Sequence, residues 1–130
     1  GAVTSLKDAT RLDPENPDYH YKLALALSET GSSAEATAEL EKTVKLDPSY
    51  ARAWYNLGLA RSGSNHPQAA IAALRQGEAA DPNDSAIPYA RATIPARLGQ
   101  KQEALAAAAL ALQLRPDFPE ARQLIQALAR

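Results

Sequence analysis

The sequence predicts an all-α fold, a solenoid of helix–turn–helix repeats with about eight helices in one domain. Three observations carry this. Proline recurs at a fixed interval: Pro14, Pro48, Pro82 and Pro116 stand 34 residues apart, preceded by Asp13, Asp47, Asp81 and Arg115. Other positions keep the same interval, namely Ala2, Ala36, Ala70 and Ala104, then Leu6, Leu40 and Leu74, then Tyr21, Tyr55 and Tyr89. Between the prolines, apolar residues fall at helical spacing around a break at Gly31, Asn65 or Gly99. A fixed period of this size means stacked two-helix units, each stabilised by its neighbours rather than by one large core.

Taken in order, the chain opens on a partial unit, 1–14, that holds only a second helix. Ala2, Leu6 and Ala9 take the slots of Ala36, Leu40 and Thr43. With no first helix beside it, its apolar face (Val3, Leu6, Leu12) is expected to be uncovered, so that the natural chain continues upstream or another chain covers this end. The first full unit is 17–50. Asn16 offers a cap and Pro17 fits the first turn of a helix over 16–30. Leu23, Ala26 and Leu27 form its inward stripe, and Gly31 ends it in a left-handed conformation. Ser32 with Glu35 reads as a capping box for a second helix ending at Leu46, where Asp47 and Pro48 stop it. The second unit is 51–84, with helices over 51–62 and 67–80. Asn65 tolerates the left-handed turn, and His66 is read as the cap before Pro67. The third unit is 85–118, with helices over 85–98 and 102–114. Pro95 lies inside the first of these, at about 3 kcal/mol if uncompensated, so a kink or a broken helix is expected near 91–95. A terminal capping helix, 119–130, turns Leu124, Ile125 and Leu128 inward and Arg122, Gln126 and Arg130 outward.

Composition excludes several classes of function. Residues are 45% hydrophobic but only 5% aromatic, which suits small side chains between close helices. The net charge of −1 gives no basic bias toward nucleic acid. No apolar run is long enough to insert across a bilayer. Without cysteine there is no disulfide and no thiolate chemistry. His20 and His66 stand 46 residues apart without ligand-like neighbours at i+3 or i+4, which argues against a metal. No nucleophile elbow, glycine-rich phosphate loop or Glu/His metal motif occurs, so the sequence reads as a non-enzyme with no catalytic or cofactor-binding residues.

The best copy of the unit places Trp54, Leu57, Gly58, Ala70 and Pro82 at the spacing W-x2-L-G…A…P. In this, and over nearly all of its length, the chain resembles the tetratricopeptide repeat family. Other copies depart from the pattern. His20 and Pro88 take the Trp54 slot, Thr43 an alanine slot, and Arg91 the Leu57 slot. The resemblance implies a helix A and a helix B in each unit, wound into a right-handed superhelix whose helices A line a concave groove. It implies a protein–protein interaction module, or scaffold, that binds a peptide or partner helix there. Carried over slot by slot, the groove residues are Asp18, Tyr21, Lys22, Leu25 and Ser28 in the first unit. In the second they are Arg52, Tyr55, Asn56, Leu59 and Ser62, and in the third Ala86, Tyr89, Ala90, Thr93 and Arg97. The three tyrosines would form a ladder of broad apolar faces with polar tips. Members of the family that clamp a C-terminal carboxylate use Lys and Asn at slots that here hold Tyr21 and Leu25, Asn at the slot of Asn56, and Lys and Arg at slots that here hold Ala86 and Ala90; only Asn56 matches, and without the cations that function is rejected. The alternative to a binding module is a structural appendage of a larger polypeptide, or self-association through the N-terminal end.

One pair of departures makes its own expectation. Glu78 stands where Val44 and Leu112 stand, and Arg91 where Leu23 and Leu57 stand. Two adjacent units each exchange an interface apolar residue for a charge of opposite sign, which predicts a partly buried ion pair across the junction. The alternatives are that Arg91 snorkels to water or turns into the groove.

Overall fold

The computed structural model describes all residues, 1–130. Eight helices follow one another: α1 (Ala2–Leu12), α2 (Pro17–Glu29), α3 (Ser33–Leu46), α4 (Ala51–Gly63), α5 (Pro67–Ala80), α6 (Ala86–Arg97), α7 (Lys101–Leu114) and α8 (Pro119–Leu128). The architecture is an all-α superhelical solenoid in which α2, α4, α6 and α8 are helices A and α1, α3, α5 and α7 are helices B. Each helix packs on its chain neighbours, and α4 also touches α6. None is long and apolar enough to cross a membrane.

Local chemistry explains the boundaries. Asn16 caps α2 by accepting the Asp18 N–H at 3.0 Å, and Pro17 occupies the first turn. Each turn between helices A and B carries one left-handed residue: Gly31 (φ 83°), Asn65 (φ 63°) and Gly99 (φ 76°). The next residue folds its N–H back onto the helix just ended. Ser32 donates to Leu27 O at 2.9 Å, His66 to Arg61 O at 2.9 Å and Gln100 to Pro95 O at 2.8 Å. This corrects two expectations. Ser32 makes no capping-box bond and His66 makes no side-chain cap. In a turn this tight, the Ser32 N–H that Glu35 would have bonded already serves Leu27 O. Glu35 instead approaches Lys7 at 3.7 Å.

Of the kink or broken helix expected near 91–95, the break does not occur: α6 runs uninterrupted to Arg97. Pro95 falls in the last turn, where its ring removes one bond, to the Arg91 carbonyl, and the helix is about to end anyway. The N-terminal helix is also less bare than expected. Val3 and Leu6 pack against Leu23, Leu27 and Ala36, whereas Leu12 is 78% exposed.

The core is a string of small clusters, one at each junction. Ala24, Leu40, Val44, Ala53, Leu57 and Ala73 join the first unit to the second. Ala70, Leu74, Ile87, Ala90 and Ile94 join the second to the third. Thr43, fully buried in an alanine slot, donates its hydroxyl to Glu39 O at 2.8 Å, so no polar atom is stranded. The Trp54 slot has a second role beyond packing. Trp54 Nε1 donates to Pro48 O at 2.8 Å, His20 Nε2 to Pro14 O at 2.7 Å, and Arg122 Nη2 to Pro116 O at 3.0 Å. Three unlike side chains thus tie the start of a helix A to the proline loop before it, and only Pro88, which has no N–H, does not.

Across the second-to-third junction, Arg91 Nε donates to Glu78 Oε1 at 2.6 Å, with the side chains 16% and 20% exposed. The ion pair expected from the sequence is present, and Arg91 neither snorkels away from Glu78 nor abandons it for the groove.

Candidate functional site

Of the residues assigned to the groove, Ala90 is instead buried in the core between α5 and α6, and several of the others bond to the neighbouring helix A or to the loop leading into it. Asp18 accepts the Tyr50 hydroxyl at 2.8 Å. Tyr21 stacks on Tyr50 with ring centres 4.9 Å apart, and its oxygen accepts Asn56 Nδ2 at 3.0 Å. Arg52 pairs with Asp84 at 3.2 Å and lies over the Tyr55 ring at 4.6 Å. Arg97 donates to the Ser62 hydroxyl. Tyr89 stacks on Phe118 at 5.0 Å, and Thr93 turns its hydroxyl onto its own helix at Ala90 O, 2.7 Å away. The tyrosines are half-buried. They serve the junctions between units as much as they face solvent.

One environment stands out electrostatically. The Tyr50 phenol is held well above its ordinary range, first because burial disfavours phenolate. The hydrogen bond to Asp18 and that carboxylate's negative charge add to the effect.

What this lattice leaves free is an uncharged cleft of about 630 Å³ between α2, α3 and α4. Four of the assigned residues line it: Leu25, Ser28, Asn56 and Leu59. Leu25 and Leu59 are 40% and 43% exposed, and both border this one cleft. Sequence reasoning missed the opposite wall, which α3 supplies through Ser33 and Thr37. Their spacing by four, one face of the start of α3, was the signal available. Lys22 and Arg97 lie on the same helix A face but outside the cleft lining, and Tyr55 and Tyr89 do not reach it.

The fold and this face define a class, the superhelical scaffold built from two-helix repeats. Family models agree: one described as TPR repeat matches residues 1–31, and one described as tetratricopeptide repeat matches residues 29–94, just over half of the 130. The chain belongs to the tetratricopeptide repeat family. No curated protein matches it in sequence. Among solved structures, MamA superposes with a TM-score of 0.93 at 29% identity, over 98% of this chain and 75% of that one. YrrB, a TPR protein with an unusual peptide-binding site, gives 0.85 at 23% identity, over 98% and 66%. The Yersinia enterocolitica type III secretion chaperone SycD, in complex with a peptide of the translocator YopD, gives 0.80 at 22% identity, over 86% and 91%. The last two likenesses speak for the fold alone.

Proposed function

We propose that this chain is a protein-interaction module whose helix A face takes a segment of a partner protein, anchored in the cleft between α2, α3 and α4. The carrying observation is the pair Leu25 and Leu59, solvent-exposed leucines on adjacent helices A that line one cleft. A partner's apolar side chains would bury there, while Asn56 and the hydroxyls of Ser28, Ser33 and Thr37 meet its backbone. Asn56 has bonding capacity to spare, since only one of its amide hydrogens is used by Tyr21. That a structural neighbour was solved with a bound peptide supports this reading by analogy of fold. The test is selection of a random peptide library on the full chain, followed by affinity measurement on Leu25→Asp and Leu59→Asp. Binding is expected to fall at least about tenfold in each, the loss of one buried leucine contact. Peptides that bind both variants as tightly as the native chain place the site elsewhere.

A further inference from the structure

The 34-residue interval gives each wall residue of the cleft a counterpart one unit on, and the two sets differ in bulk. Ala34, Ala60 and Gly63 line the cleft between α2, α3 and α4. The same slots one unit later hold Gln68, Ile94 and Arg97. Ile94 is 1% exposed and packs into the core between α5 and α6, whereas Ala60 borders the open cleft. Arg97 reaches from α6 to α4 and donates to the Ser62 hydroxyl. The counterpart of that bridge is the pair Ser28 and Gly63, and glycine has no side chain to send across. A Cβ at Gly63 would meet no neighbouring atom within 4 Å. The first junction is therefore hollow at the slots where the second is filled and bridged.

From this we infer that the helix A face holds its partner in one register: a short segment docks between the first and second units alone, and Gly63 is the residue that admits it. Arg97, in the same slot, closes the equivalent entry between the second and third units. The segment this fits places one or two aliphatic side chains in the cleft and no charge at its buried positions, because no residue lining the cleft carries a charge to offset one. The inference rests on the peptide-binding reading above and adds the residue that sets the register and how far the segment extends. A repeated face invites a bound chain to slip by one unit, and a filled neighbouring slot is the repulsive element that prevents it.

The experiment uses the full chain and peptides enriched from a random library displayed on phage. They are synthesised with a fluorophore and titrated by fluorescence polarisation. The native chain is compared with Gly63→Ala, Gly63→Gln, Gly63→Arg and Leu25→Asp/Leu59→Asp. Amide shifts are followed by NMR as one enriched peptide is added to the native chain. The Gly63 variants should resist urea as well as the native chain, because glycine ends α4 there and the added atoms enter open space. Gly63→Gln and Gly63→Arg should each weaken binding by about tenfold or more, the loss of one buried aliphatic contact, while Gly63→Ala binds as the native chain does. Shifts should move in α2, the start of α3 and α4, and stay still over residues 86–93 of α6. Native-like binding by Gly63→Gln and Gly63→Arg, with binding lost in Leu25→Asp/Leu59→Asp, overturns the role of Gly63 and leaves the cleft reading standing. Weakening by Gly63→Arg alone is an effect of charge, and weakening by Gly63→Ala an effect of the backbone, and either overturns that role likewise. Shifts spread over residues 86–93 overturn the single register. Peptides indifferent to the leucine variant, or no enrichment at all, overturn both readings.

Discussion

At Gly58 a hydrogen in place of a methyl group sets how closely α4 and α5 approach. A Cβ there would meet Leu74 Cγ and Cδ2 at 2.7 Å and Ala70 O at 3.3 Å. Leu74 is fully buried and cannot swing aside. Gly58→Ala should cost about 1–3 kcal/mol through overpacking, outweighing the better helix propensity of alanine. Urea unfolding reads this directly, and a variant as stable as the native chain would mean the two helices separate freely. Tyr50 offers a second test. Its phenol is raised in the folded chain, so the stability it lends is complete below its unfolded value of 10.0 and is lost as pH climbs through the higher folded value. In an absorbance titration Tyr50 should be the last of the five tyrosines to ionise. Asp18→Asn should return it only part of the way, because burial is the larger cause. The sequence made Gly58 visible as a motif position but not Leu74 as the reason for it. The tie to the proline carbonyls was hidden because indole, imidazole and guanidinium share an N–H donor and nothing else.

Among elements, the junction between α5 and α6 carries a largely buried charge pair at the slots that Val44 and Leu57 fill with apolar side chains between α3 and α4. Its side chains are mostly but not wholly buried. Truncating either Glu78 or Arg91 to alanine should therefore cost about 2–3 kcal/mol, between an exposed pair and a fully buried one. The double variant should cost clearly less than the sum of the two, which a double-mutant cycle on thermal or urea unfolding measures. Additivity would mean that the two groups stand side by side without coupling. This pair was legible because its two departures from the repeat pattern are complementary in sign and fall on facing helices. The helix ends were less so. Ser32 and Glu35 carry the residues of a capping box, yet the two-helix turn had already committed the Ser32 N–H to Leu27 O. Pro95 carries the signature of a broken helix, yet it sits in the last turn of α6 and the helix continues through it to Arg97. In each case a local rule was overridden by the distance to the next element. The cleft behaved the same way: α2 and α4 contributed residues that period and slot could find, but the α3 wall depends on how α3 leans against α4.

For the molecule as a whole, order should be graded from the middle outward. No residue of α1 is buried and α8 buries Ala121 alone, whereas α4 and α5 place Ala53, Leu57, Ala70, Ala73 and Leu74 in the core. Native-state hydrogen exchange should show α1 and α8 opening at low free energy and α4 and α5 exchanging last. Uniform protection along the chain would show that the units melt as a single block.

The same neighbour-to-neighbour packing has a consequence for the chain as it is made. Each helix finds its partner directly before or after it. Nothing on the ribosome has to wait for a distant strand or a late terminus. Once Leu46 has left the exit tunnel, α2 and α3 can close on each other, and α4 then docks on a surface already formed. The apolar faces are thus covered nearly as fast as they are translated. A nascent chain of this kind should leave little uncovered surface for a chaperone to hold.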